Sequence, residues 1–424
     1  MSRVDLPSFG MGTAPLGNLY RQVEDAVARD TVAAAFNAGI HYFDTAPHYG
    51  FGLAERRLGA ALAEFDPDGL VQVSTKVGRL LHPTKAGGTR HGFVDGDPFE
   101  PAFNYSADGV RRSFEGSRAR LRRERIDILL VHDLGELTHG IERERHLTDF
   151  LDGGYEAMIA LRDAGLVGAI GIGVNETAIC EELLDRVDLD VIMLAGRYTL
   201  LDRSGLALLD RCARSGVQVI AGGPYNSGIL ARDPAHVDLH SLHYAYGAPD
   251  TAILARTRLL ADICDASQVP LPAAALQFPL RHPAVSCVIA GLAGVIEVSD
   301  MVVRMVANVP EAVWEALDPP LPDPASAQLI LLHPDDNVLI CVSQILEGDA
   351  LTISGGTIPA REGITVGHKV ARAPLAPGDK VIKYGAPIGS MTAAASAGEW
   401  VHMHNMKSDY IASHTRASTM EARS

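Results

Sequence analysis

Four ionisable side chains stand at or just beyond the ends of strand-like runs. Asp44 closes His-Tyr-Phe-Asp, Tyr49 follows five residues later, Lys76 closes Val-Gln-Val-Ser-Thr-Lys and His132 closes Ile-Leu-Leu-Val-His. A tyrosine hydroxyl, with an ordinary pKa of about 10, is a poor acid or base at neutral pH. An ammonium beside it favours the phenolate. A carboxylate such as Asp44 would keep Lys76 charged and in place, and an imidazole such as His132 can hold a substrate oxygen. Such a set suits proton exchange with an oxygen while hydride moves, the interconversion of carbonyl and alcohol with a nicotinamide cofactor. Taken singly, Asp44 could cap a helix, Lys76 could pair with any carboxylate and His132 could be a satisfied core histidine. Four such groups at successive strand ends are harder to assign to structure alone.

The elements that must position them alternate in type. Strands are expected near Gly10–Ala14 and over His41–Asp44, Val71–Lys76, Ile128–His132, Ala169–Gly173, Val191–Leu194, Val217–Ile220 and Ser286–Ile289. Helices are expected between them, among them Thr31–Asn37 (Asp30 as N-cap, Gly39 as terminator), Ala54–Ala63, Tyr155–Ala164 and Ala178–Leu184. Eight such units in about 300 residues fit an α/β (β/α)8 barrel, whose chemistry sits at the C-terminal strand ends. A doubly wound sheet is the rival, but no GxGxxG follows an early strand. The long segment Val77–Tyr105, which holds Gly87, Gly88, Gly92 and Gly96 with Phe93, Phe99 and Phe103, reads as a lid.

The chain has 424 residues, 37 basic and 52 acidic, for a formal net charge of −15. That acidity argues against a nucleic-acid partner, whose phosphates need a basic surface. No apolar run reaches the ~18 residues of a membrane span, and the start lacks the pattern of a secretory signal. The five cysteines are scattered and odd in number, as expected of reduced thiols in a cytoplasmic protein. Four prolines in Asp318–Pro324 mark a joint. From Ala325 onward there are 8 basic and 9 acidic residues, so nearly all the acidity precedes the joint. The expected organisation is a barrel over 1–318, a linker over 319–325, a small all-β domain over 326–408 and a polar tail over 409–424.

The segments HYFDTAPHYGFGLAERRLG (His41–Gly59), STKVG (Ser74–Gly78), IDILLVHD (Ile126–Asp133) and GAIGIGVNE (Gly168–Glu176) resemble the aldo-keto reductase superfamily. MLAGRYTLLD (193–202) and GGPYNSGIL (222–230) resemble its branch of L-fucose and D-threo-aldose 1-dehydrogenases and pyridoxal 4-dehydrogenases. The resemblance implies Asp44, Tyr49, Lys76 and His132 as catalytic tetrad and a nicotinamide dinucleotide bound without a Rossmann fold. It assigns Asn175, Gly222, Pro224, Asn226, Ser227, Gly228, Gly291 and Glu297 to the cofactor, and Tyr198 and Tyr225 are expected in the substrate pocket. Gly222 replaces the family's usual stacking tyrosine, Ala195 its usual glutamine and Glu176 its usual asparagine beside Asn175. Glu297 stands near the usual arginine for a 2′-phosphate, which favours NAD over NADP. The implied reaction is oxidation of an aldose hemiacetal to its lactone. The alternatives are a pyridoxal or small-aldehyde oxidoreductase, or an assembly subunit without chemistry.

Beyond the joint, short apolar-alternating segments are expected as strands: Gln328–Leu332, Val338–Val342, Lys369–Ala373, Val381–Tyr384 and Trp400–His404. On a strand, His402 and His404 would share a face and could ligate a transition metal. Leu332–Asp349, Ile358–Gly389 and Gly398–Asn405 resemble the small SAF, or β-clip, domain of altronate and galactarate dehydratases. That resemblance implies a divalent metal or sugar acid near His368, Lys369, His402 and His404. The large dehydratase domain is missing, so the expected partner is a separately encoded large dehydratase subunit, the alternative being a tether or binding module without chemistry.

Overall fold

The computed structural model describes residues 4–232, 237, 243–245, 247–317, 328–331, 333, 335–341, 344–353, 356–365, 367–383 and 386–407. The linker and the tail expected from the sequence lie outside them. The chain forms two compact units.

The first is a closed barrel of eight parallel strands in sequence order: β1 (Phe9–Gly12), β2 (Tyr42–Asp44), β3 (Gln72–Val77), β4 (Ile126–His132), β5 (Val167–Val174), β6 (Val191–Ala195), β7 (Gln218–Gly222) and β8 (Val285–Gly291). β8 pairs back with β1. Every strand that was expected is present. The first helix, however, is Asp25–Asn37 with Glu24 at its N-cap, so Asp30 lies inside it. The Ala-rich stretch continues upstream through Ala26 and Ala28, and these good helix formers extend the helix past the aspartate.

Strand alternation decides which side chains enter the barrel. Tyr42, Ile128, Leu130, Ala169, Val191, Met193, Ile220, Cys287 and Ile289 form one interior cluster. Phe43, Val73, Val77, Leu129 and Val131 belong instead to the core under the helices. Continuing the inward parity by two residues on each strand places Asp44, Lys76 and His132 inside the C-terminal mouth.

The expected lid is ordered as two antiparallel hairpins. Arg79–Pro83 pairs with Phe99–Phe103, and Thr89–Arg90 with Phe93–Val94. The Arg90 guanidinium lies 4.1 Å over the Phe51 ring and bonds Phe99 O at 2.8 Å, which ties the smaller hairpin down.

The second unit is β-rich. Leu329–Ile330, Val338–Cys341, Lys369–Ala371 and Trp400–Val401 form one sheet, and Lys380–Lys383, Ala386–Met391 and Met406–Lys407 another. Ala350–Ile353 and Gly356–Pro359 form a hairpin. Two small apolar clusters hold these layers, one around Val338, Val381 and Val401, the other around Cys341, Leu351 and Val370.

The expected strand over Trp400–His404 stops at Val401. Asn405 causes this: its side chain accepts from His402 N at 2.8 Å and donates to Trp400 O at 2.8 Å, and its amide bonds His402 O at 3.0 Å. The chain turns, so His402 and His404 do not share a strand face.

Candidate active site

Lys76 is the hub of the barrel mouth. Its ammonium contacts both Asp44 carboxylate oxygens at 2.9 and 2.7 Å, Thr45 O at 2.8 Å and Tyr49 Oη at 3.0 Å. An ammonium has three donors and no acceptor. Tyr49 Oη therefore accepts. Lys76 and Asp44 are each about 2% exposed. Burial pushes the Asp44 carboxyl up, and Lys76 and the Ser74 hydroxyl, which donates at 2.7 Å, pull it back.

Tyr49 sits in the turn after β2. Gly17 fixes its backbone: a Cβ there would lie 2.6 Å from Tyr49 C, so only glycine lets the loop after β1 press against this turn. The Tyr49 and His132 rings stand edge to face, 6.1 Å apart. His132 is held neutral, its pKa driven far down by burial and by the charges of Arg79 and Lys76. Its Nε2 lies 3.4 Å from Asp133 Oδ2, and among the described residues its buried Nδ1 has no hydrogen-bond partner.

Tyr49, Lys76 and His132 line one cavity of about 470 Å³, a size ordinary for small-molecule sites. Asn175, just past β5, and Met193 and Ala195 of β6 line it, and Phe93, Gly92 and His91 line it from the smaller hairpin. His48 and Asp133 also line it, although sequence reasoning assigned neither. Arg79, also unassigned, stands behind them. The available signal was position: His48 precedes Tyr49, Asp133 follows His132, and Arg79 lies three residues past Lys76. A groove of similar size at the other end of the barrel, about 490 Å³, is lined by charges already paired, such as Arg123–Asp66 and Arg125–Asp127.

Tyr198 and Tyr225 do not line that cavity. Tyr198 packs 5.1 Å from Phe278, Arg304 lies 5.8 Å over the Tyr225 ring, and both tyrosines pack on the apolar core. Glu176 accepts from the amides of Glu136 and Leu137 at 3.1 and 3.2 Å, at the start of the short helix Glu136–His139. That explains a carboxylate beside Asn175.

The residues expected around a dinucleotide lie at the ends of β5, β7 and β8. Gly222 ends β7 and Gly291 ends β8. The turn beginning at Pro224 carries left-handed φ at Asn226 (45°), Ser227 (64°) and Gly228 (108°). Asn226 Oδ1 is buried and has no partner among the described residues. Open space adjoins Gly228 and Gly294, the latter the N-cap of helix Val295–Val306. An orphaned buried acceptor, two open glycines and a helix N-terminus fit a dinucleotide's amide, ribose and phosphate groups. Glu297 accepts from Ala293 N at 2.7 Å and meets Arg21 at 3.4 Å.

A profile of the Aldo/keto reductase family matches residues 8–319. The chain belongs to that family. A second profile, the Altronate/galactarate dehydratase SAF domain, matches residues 327–409. The chain is 41% identical over 322 residues to the pyridoxal 4-dehydrogenase of Microbacterium luteolum, covering 73% of this chain and 92% of that enzyme. It is 37% identical over 319 residues to the D-threo-aldose 1-dehydrogenase of a Pseudomonas species, covering 74% and 93%. The altronate dehydratase of Escherichia coli (strain K12) matches at 38% over 82 residues, 19% of this chain and 17% of that enzyme. Among solved structures, the glycerol dehydrogenase AKR11B4 from Gluconobacter oxydans superposes with a TM-score of 0.59 at 22% identity, covering 75% of this chain and 93% of that one. That likeness speaks to the fold alone. As an aldo/keto reductase the barrel is an oxidoreductase using a nicotinamide dinucleotide. Among the described residues no helix is long and apolar enough to cross a membrane, and all five cysteines are buried and free.

In the SAF domain the structure does bring His368, Trp400, His402 and His404 together. Ring centroids lie 4.9 Å apart for His368–Trp400, 5.0 Å for His368–His402 and 5.2 Å for Trp400–His404. Lys369 follows His368, and burial with repulsion from Lys383 lowers its pKa. Among the described residues no three His, Cys, Asp or Glu side chains are grouped so as to hold a metal. The Trp400 ring lies 4.9, 5.1 and 5.2 Å from the rings of His368, His402 and His404.

Proposed function

We propose that the barrel oxidises an aldose hemiacetal, L-fucose-like or related, to its lactone, with NAD preferred over NADP. The observation that carries this reading is the single Lys76 ammonium joining Asp44 to Tyr49 at the wall of a cavity that His132 also lines. Lys76 stabilises the Tyr49 phenolate, which takes the proton of the anomeric hydroxyl as hydride leaves the anomeric carbon, and Asp44 holds Lys76 in place. His132, neutral, orients the same oxygen. The cofactor, held by Asn175, Gly222, Pro224, Asn226, Ser227, Gly228, Gly291 and Glu297, supplies the hydride acceptor. Glu297, occupied by Ala293 N and Arg21, offers acceptors where a 2′-phosphate would need cations. The relatives named for pyridoxal and for an aldose leave both as test substrates. Measuring nicotinamide absorbance with aldoses, pyridoxal and small aldehydes separates the aldose reading from the pyridoxal and small-aldehyde one. Silence across the panel would favour an assembly role.

The SAF domain, over about 326–408 after a linker at 319–325, joins a separately encoded large sugar-acid dehydratase subunit. His368, Lys369, His402 and His404 contribute to that site. The chemistry supports the pairing: a lactone opens to an aldonic acid, the substrate class of such a dehydratase. Co-purification from the native host tests it; recovery of the chain without any dehydratase subunit would count against it. The buried free thiols accord with a cytoplasmic enzyme.

A further inference from the structure

Behind the tetrad lies a second polar assembly that the oxidation does not require. Arg79 donates through one terminal nitrogen to Asp133 Oδ2 at 2.5 Å and through the other to His48 Nδ1 at 3.3 Å. A guanidinium can only donate, so His48 Nδ1 accepts and Nε2 carries the proton. His48 and Asp133 both line the cavity. Among the described residues neither His48 Nε2 nor Asp133 Oδ1 has a hydrogen-bond partner. One buried guanidinium thus holds a ready donor and a ready acceptor at the wall.

The backbone is committed to this placement. Asp133 has φ +50°, a left-handed conformation unfavourable for a residue other than glycine. Its amide bonds Gly173 O at 3.0 Å, and the Tyr105 hydroxyl bonds His132 O at 2.8 Å and Asp133 O at 3.3 Å. An ion pair with Arg79 alone would need only Oδ2. The carboxylate also lies 3.4 Å from His132 Nε2.

We propose that Asp133 and His48, held by Arg79, read the hydroxyl on the carbon next to the reacting one, so that the barrel selects 2-hydroxy hemiacetals over their 2-deoxy analogues. A hydroxyl both donates and accepts, and it would meet Asp133 Oδ1 and His48 Nε2–H together. Arg79 and Asp133 cancel in charge, which suits a neutral hydroxyl. This rests on the aldose reading above and adds the feature of the aldose that is recognised. Arg79 acts as a positioning residue and touches no substrate.

The test compares L-fucose with 2-deoxy-L-fucose, by kcat/KM with NAD and by calorimetric Kd on NADH-loaded protein. A hydrogen bond to a charged, buried group predicts a preference for L-fucose on the order of 10- to 100-fold. Asp133→Asn and, separately, His48→Phe should shrink that ratio by about tenfold through loss on L-fucose. A purely structural role would lower both sugars together and leave the ratio intact. Equal kcat/KM and equal Kd for the two sugars in the unmodified protein, or a ratio that survives both substitutions, would overturn the proposal. Absent NADH formation with a preserved Kd preference would sink the oxidation reading while supporting the hydroxyl reader, and absent binding of both sugars would sink both.

Discussion

Replacing Lys76 by methionine should destabilise the barrel in a way that grows with pH. The substitution keeps most of the side-chain volume but removes the contacts to Asp44, Thr45 O and Tyr49 Oη. It leaves Asp44, about 2% exposed, with Ser74 as its remaining side-chain partner. Breaking a buried pair by removing one member costs about 3–5 kcal/mol, a Tm loss on the order of 10 °C for a domain of this size. The pH dependence follows from the causes acting on Asp44. Burial raises its pKa and Lys76 opposes this, so without Lys76 the folded-state value rises further above the unfolded value of about 3.9. A carboxyl whose folded pKa is raised binds more protons folded than unfolded, so stability falls as pH climbs through that interval. The Tm deficit of Lys76→Met should therefore be smallest near about pH 4 and widen toward neutrality. The double variant Asp44→Asn/Lys76→Met should recover most of the Tm and none of the turnover. Thermal melts followed by circular dichroism at several pH values measure this. A single variant melting within about 2 °C of the unmodified protein at every pH would refute the buried-pair argument.

Tyr49→Phe should lower turnover by about 10²- to 10⁴-fold with NADH affinity, read by fluorescence titration, nearly unchanged; retained turnover would remove Tyr49 from its role. The kcat/KM with NAD should exceed that with NADP, and Glu297→Lys should narrow the gap; a strong NADP preference in the unmodified protein would contradict the assignment. Glu176→Gln should lower the Tm by only about 1–3 °C and leave NADH affinity alone, since Glu176 holds the amides of Glu136 and Leu137. A large loss of cofactor affinity would place that carboxylate at the dinucleotide instead.

The barrel was legible in the sequence because parallel strands buried on both faces read as apolar runs, and each run ended near the residue that enters the mouth. Asp44, Lys76 and His132 were readable for the same reason: their inward parity follows from alternation. Asp30 misled because a good capping residue inside an alanine-rich stretch does not stop the helix on either side. His402 and His404 misled because the side chain of Asn405, three residues after His402, rewrites the backbone there. Glu176, Tyr198 and Tyr225 needed partners from distant segments, Glu136, Phe278 and Arg304, that no local spacing reveals. The same holds for Arg79, whose partners His48 and Asp133 lie 31 and 54 residues away.

The most direct test of the central claim is to incubate the purified full-length chain with NAD and L-fucose and follow nicotinamide absorbance together with lactone formation. The account predicts reduced cofactor and lactone appearing in equal amounts, both slowed by about 10²- to 10⁴-fold in Tyr49→Phe. No reduction of NAD by L-fucose or any related aldose, beside rapid turnover of pyridoxal or a small aldehyde, would contradict it.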